Sequence, residues 1–109
     1  MHPKKIILLM DADEDSLGVL RYLLETHGFA VQGAQSVAEA RALKLKRVDC
    51  LVTNGPIAYI DGFAEEMERR WPFPSHLRVS KGFKVAEFID EVRIASATKR
   101  GPRVARGAR

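Results

Sequence analysis

The run Val48-Asp49-Cys50-Leu51-Val52-Thr53-Asn54-Gly55-Pro56 constrains the fold more than any other part of the chain. Cys50-Leu51-Val52 is continuously apolar, the pattern of a parallel strand covered on both faces rather than the alternation of a half-exposed one. Asn54-Gly55-Pro56 then breaks regular structure. Asp61-Gly62 gives a second turn signal just before a helical pattern. A buried strand that ends in a long turn-rich loop and feeds a helix belongs to an open α/β sheet, where ligands sit outside the carboxyl ends of the strands. Any site is therefore centred on Asn54.

The rest of the chain alternates in the same way. Lys4-Lys5 followed by Ile6 to Met10 reads as a first, central strand, and it ends in the acidic turn Asp11-Ala12-Asp13-Glu14-Asp15. A helix follows from about Glu14 to His27, with Leu17, Leu20 and Leu24, joined by Tyr22 and Leu23, facing inward. Gly28 stops it. Phe29-Ala30-Val31 opens a short edge strand. Ser36-Val37-Ala38-Glu39 is a capping box, in which each side chain satisfies the other's helix-end amide. Val37, Ala40, Leu43 and Leu45 face inward from that second helix, and Lys44, Lys46 and Arg47 are placed at its C-terminal end, where they favour its dipole.

A third helix, Phe63 to about Trp71, carries Phe63, Met67 and Trp71 on one stripe that reads as core. Pro72 and Pro74 end it. Leu77 to Ser80 is the last strand, Lys81-Gly82-Phe83 the loop after it, and Lys84 to Thr98 the last helix. Val85, Phe88, Ile89, Val92 and Ala95 or Ser96 form its inner face. The βα alternation implies parallel strands joined by right-handed crossovers.

Composition narrows the class. A chain of 109 residues with 46% apolar and 29% charged residues is a soluble globular domain with one modest core. Ile6 to Met10 is too short an apolar run for a membrane span or a signal-peptide core. Cys50 has no second cysteine to pair with, suits a reducing cytoplasm, and reads as a core residue. His2, His27 and His76 are scattered and suggest no metal site. The net charge of +4 is local: without Lys99, Arg100, Arg103, Arg106 and Arg109 the chain holds 13 basic and 14 acidic residues. Residues 1–97 are thus expected to form the domain, and residues 98–109 a basic, disordered tail.

Over residues 4 to about 97 the sequence resembles a response-regulator receiver domain of the CheY-like kind. The resemblance rests on the acidic turn after the first strand, on Asn54 standing eight positions before Gly62, and on Lys81-Gly82-Phe83 after the last strand. It implies a flavodoxin-like open parallel sheet with helices on both faces. It also implies a phospho-acceptor position at Asn54, an acidic pocket at Asp11 and Asp13, a site lysine at Lys81, and a loop shaped by Gly55, Asp61 and Gly62.

Several departures bear on function. An amide at Asn54 replaces the carboxylate that would attack phosphorus. Ala12 stands where the second acid of the family's Mg²⁺ pair belongs, and Asp13 is one position further on. Mg²⁺ demands near-octahedral oxygen ligands, so its binding is expected to be weak or absent. Only nineteen positions separate Gly62 from Lys81, too few for the family's fourth βα unit. The sheet should then have four strands in the order 2-1-3-4, with the last strand paired directly to the Val48–Asn54 strand. Arg78 occupies the family's switch-aromatic position, and Gly82 replaces its proline.

Alternatives stand beside these roles. Asp11 is either a solvated turn acid or the partner of Lys81. Asp13 is a helix N-cap or a metal ligand, with the cap favoured, and Asn54 is also suited simply to capping the loop. The expectation is a pseudo-receiver: no enzyme, acting in bacterial two-component or phosphorelay signalling by phosphorylation-independent contact with a histidine kinase, a phosphotransferase or another regulator. The missing unit thins the cover of one sheet face, so a homodimer is expected through Phe73, Leu77 and the third helix. The alternative function is nucleic-acid association through the basic tail.

Overall fold

The computed structural model of the chain describes residues 4–60, 62–71 and 75–97. Asp61, the Pro72-Phe73-Pro74 connection and the basic stretch 98–109 lie outside the described residues, as does the expectation placed on each. The elements run β1 (Ile6–Asp11), α1 (Glu14–Thr26), β2 (Ala30–Ala34), α2 (Val37–Ala42), β3 (Cys50–Asn54), a 3-10 turn (Gly55–Tyr59), α3 (Phe63–Arg70), β4 (His76–Arg78) and α4 (Val85–Ala97). The four strands form one parallel sheet in the order β2-β1-β3-β4, as the shortened sequence requires.

Strand alternation divides the core into two layers. Ile7 and Leu9 of β1 and Cys50 and Val52 of β3 face α1 and α4, where they meet Leu20, Leu24, Phe88, Ile89 and Val92. Leu8, Met10 and Leu51 face the other way, against Ala40, Phe63, Met67 and Trp71 of the α2 and α3 side. Both faces of β1 and β3 are therefore covered, which is why both strands read as unbroken apolar runs.

Several local expectations are corrected. Tyr22 is 67% exposed and Val85 44% exposed, so neither joins the inner face of its helix. Tyr22 lies two positions from both Leu20 and Leu24, about 200° around the helix from each. Helix α2 ends at Ala42, with Leu43 extended. Lys44, Lys46 and Arg47 thus belong to the connection into β3 and not to the end of a helix. Arg70 of α3 donates to the carbonyls of Arg41 and Leu43, and Trp71 Nε1 donates to that of Leu45 at 2.7 Å. These side chains supply the donors that another helical turn would have provided. The capping box is also displaced: Ser36 accepts from the Glu39 amide at 3.1 Å, but Glu39 reaches the Gln35 amide, at 2.7 Å, rather than that of Ser36.

On the α2/α3 side of the sheet, β4 presents His76 and Arg78. Leu77 turns to the opposite face and packs with the α1/α4 layer, so it does not supply the apolar surface expected of it. His76 is half-buried, its Nε2 2.7 Å from Thr53 Oγ1 and its ring edge-on to Phe63 at 6.3 Å between centroids. Burial, with help from the Arg78 charge, pulls its pKa below the ordinary 6.5. The unfolded chain therefore takes up the proton more readily than the folded one. Stability is full above 6.5 and is lost as pH falls from that value through the lower folded-state pKa. Urea midpoints are expected to drop between about pH 7.5 and about pH 5.5, and His76→Gln, which keeps a hydrogen-bonding group but does not titrate, should flatten that drop. An unchanged slope in the variant would assign the effect to another group.

Candidate functional site

Parallel pairing of β1 with β3 sets Asp11 opposite Asn54. Both lie at the carboxyl ends of their strands, and both turn to the α1 side. Asn54 Nδ2 donates to Asp11 Oδ2 at 2.9 Å. The other oxygen, Oδ1, accepts from the Asp13 backbone amide at 3.0 Å, closing the turn that opens α1. Asp11 is thus 4% exposed with both carboxylate oxygens hydrogen-bonded. It is not a solvated turn acid, and among the described residues its partner is Asn54 rather than Lys81. Lys81 is exposed, in the turn that follows β4.

Asp13 occupies the N-cap position of α1 in an extended conformation. Its carboxylate accepts from the Ser16 hydroxyl at 2.8 Å, and this bond holds the acid below the usual carboxylate range. Gly55 and Gly62 bound the loop after β3, with φ of +82° and +73°. In that left-handed region any side chain is strained. Gly55 lets the chain turn directly from β3 into the 3-10 segment, and Gly62 starts α3. Sequence reasoning assigned both as loop residues, and the structure gives each a backbone reason.

The resemblance implies Mg²⁺ at this point, and the residues do not fit it. The described residues contain no group of three histidine, cysteine or acidic side chains that could enclose an ion. Both Asp11 oxygens are already engaged, Ala12 offers no ligand, and Asp13 is turned to Ser16. The Asn54 amide places a neutral donor against Asp11 instead. Cys50 offers no nucleophile either, since burial pushes its thiol up to about 11.

Two hollows flank the Asp11–Asn54 pair, one on each side of the sheet. The first, about 310 Å³, lies between the start of α1 and the loop after β4, lined by Asp15, Ser16, Val19, Leu20, Asn54 and Phe83. Val19 is 59% exposed at its rim. The second, about 490 Å³, lies between α2 and the start of α3, with Val37, Ile57, Ile60 and Phe63 as its apolar wall. Arg41 and Glu66 form an ion pair across its edge, Nη2 to Oε1 at 2.9 Å, which raises the arginine pKa and lowers that of the acid. Gln35 donates to the Ala12 carbonyl at 3.2 Å and fixes the turn between the hollows. Val19, Ile60, Phe83 and Gln35 were not singled out as site residues from the sequence. Exposed apolar positions of a helix and loop become visible only when their neighbours are placed.

No family model matches the chain, and no curated protein does. Solved structures do resemble it. The non-phosphorylated HemR receiver domain from Leptospira biflexa superposes with a TM-score of 0.71 at 20% identity, covering 91% of this chain and 99% of that one. A CheY-like response regulator receiver domain protein from Methanospirillum hungatei gives 0.69 at 14% identity over 86% and 94% of the two chains. The receiver domain of the hybrid histidine kinase CckA gives 0.63 at 20% identity over 84% and 98%. The chain has the receiver-domain, CheY-like fold.

Proposed function

We propose that this receiver fold works as a protein-interaction module of two-component or phosphorelay signalling that does not depend on taking up a phosphoryl group. The hydrogen bond from Asn54 to Asp11, 2.9 Å long, carries this reading. At the position matching the family's acceptor the side chain is an amide, whose oxygen carries no anionic charge and is a poor nucleophile for phosphorus. The amide nitrogen occupies the one acid left from the family's pair. The bond satisfies Asp11 with a neutral donor, where an acceptor carboxylate would need a counter-charge.

What is left for function is surface. The hollow beside Asn54, with exposed Val19 at its rim and Phe83 beyond it, offers an apolar anchor point bordered by the acidic turn. A histidine kinase, a phosphotransferase or another regulator with an apolar side chain set among basic ones fits this surface. Light scattering at micromolar concentration tells whether a second copy of the chain is also among the partners.

The test is chemical. After incubation with a small-molecule phosphodonor and Mg²⁺, the intact mass of the protein is expected to stay unchanged. Asn54→Asp alone should restore little uptake, because Ala12 still supplies no second acid. A labile added phosphate on the parent chain would overturn the reading.

A further inference from the structure

The amino ends of the strands and the loops that enter them gather at the pole of the sheet opposite the Asp11–Asn54 pair. Lys4 and Lys5 lead into β1 there. Arg47 Nη2 reaches the Lys4 carbonyl at 3.3 Å, which brings the connection between α2 and β3, with Lys44 and Lys46, beside them. The bonds from Arg70 to the Leu43 carbonyl and from Trp71 to the Leu45 carbonyl hold the end of α3 on the same connection, and Arg69 comes with it. Arg93 of α4 lies over the ring of Phe29, at the mouth of β2, 5.6 Å from its centroid. All eight of these basic residues are exposed.

The acids described in the same region are Glu25, Asp49, Glu68 and, two positions before Arg93 on α4, the exposed Glu91. Glu25 is engaged by Arg21, and Asp49 by Arg47. The other pole has the opposite sign, with Asp11, Asp13, Glu14 and Asp15 at the end of β1 and Glu65 and Glu66 in the first turn of α3. Helix α4 runs back from the acidic pole and ends at the basic one.

We propose that this basic pole binds nucleic acid through its phosphate backbone, without reading base sequence. A dense array of exposed cations, of which Arg47 is ion-paired with Asp49, suits a regularly charged polyanion and gains from counterion release. Trp71 is buried, and among the described residues no exposed aromatic lies in the α2–β3 connection or at the end of α3, so those residues offer no platform for base stacking. The exposed large apolar side chains, Val19, Tyr22, Ile60, Val85 and Ile94, are absent from those two segments as well. Ile94, next to Arg93 on α4, is exposed, but with no exposed large apolar side chain beside the other cations among the described residues an anionic bilayer would be held there chiefly by charge. Because the two poles are at opposite ends of the sheet, a protein partner near Asn54 and nucleic acid here do not compete.

Fluorescence anisotropy of a labelled duplex, titrated with the full chain, tests this. Affinity should fall steeply between about 50 and 200 mM salt and be the same for a scrambled sequence. Lys44→Glu with Lys46→Glu should weaken binding at low salt about tenfold and reduce the salt slope by about two. Lys44→Glu and Lys84→Glu change the net charge equally, but Lys84 is exposed at the acidic pole. Lys44→Glu should therefore be clearly the weaker binder of the two.

The proposal is overturned by no duplex binding at about 50 mM salt, by equal loss in the Lys44 and Lys84 variants, or by tighter binding to phosphatidylserine vesicles than to duplex. Loss of binding on replacing Arg100, Arg103 and Arg106 with Gln, while Lys44→Glu binds like the parent, would also overturn the role of the pole.

Discussion

Replacing Asn54 with aspartate is expected to destabilise the fold by about 2–4 kcal/mol at neutral pH, although the side chains are nearly the same size. The substitution puts a carboxylate oxygen where Asn54 Nδ2 now donates to Asp11 Oδ2 at 2.9 Å. A hydrogen bond becomes a contact between like charges beside an acid that is 4% exposed, where water screens poorly. A proton shared between the two carboxylates relieves the repulsion. The folded pair therefore holds a proton that the unfolded chain releases, and the penalty, absent at low pH, grows as pH rises. This runs opposite to the contribution of His76, so the two can be separated in one pH series. Asn54→Leu removes the donor without adding charge and should cost less than Asn54→Asp at neutral pH. Urea midpoints of parent and variants, taken at neutral and acid pH, decide it. An Asn54→Asp variant as stable as the parent at neutral pH would mean that the pair does not hold.

Trp71→Ala is expected to be the other severe change, costing about 3–5 kcal/mol, a large share of the roughly 5–15 kcal/mol that keeps a domain folded. The indole is 3% exposed and closes the α2/α3 layer. Its Nε1 also anchors the Leu45 carbonyl at 2.7 Å, so the truncation leaves a cavity and an unsatisfied carbonyl together. Trp71→Phe refills most of the space but not the hydrogen bond, and should cost about 1–2 kcal/mol. Thermal denaturation distinguishes them: the alanine variant should melt more than about 10 °C below the parent, and the phenylalanine variant between the two. Equal losses in both would show that packing contributes little beyond the one hydrogen bond.

The fold was legible because its strongest signals are local. Ile6 to Met10 and Cys50 to Val52 are unbroken apolar runs because helices cover both faces of β1 and β3. The short interval before Lys81 left no room for another βα unit, and strand order followed from that. What could not be read depended on partners far away in sequence. The stretch Leu43-Lys44-Leu45-Lys46 is made of good helix formers, yet Arg70 and Trp71 take its carbonyls and the helix stops at Ala42.

The site shows the same division. Asn54 and Gly62 were found from spacing, and Asp11 from the acidic turn. The bond between Asp11 and Asn54 was missed because sequence chemistry favours an acid–lysine pair, whereas strand register decides which side chains meet. The contact between Thr53 and His76 likewise depends on β4 lying directly beside β3.

Direct pairing of β4 with β3 also makes the sheet mechanically uneven. β1 is held through five register pairs on each side, while β4 is held to β3 through three, flanked by the bonds from Leu51 to the Ser75 carbonyl and from Val79 to the Thr53 carbonyl. The seam between β3 and β4 is therefore expected to open before the pairings of β1. A partial opening there frees β4 while Ile89 and Val92 can keep α4 seated on β1 and β3. The molecule thus divides into a durable block, β2-β1-β3 with its helices, and a lightly stitched margin that carries His76.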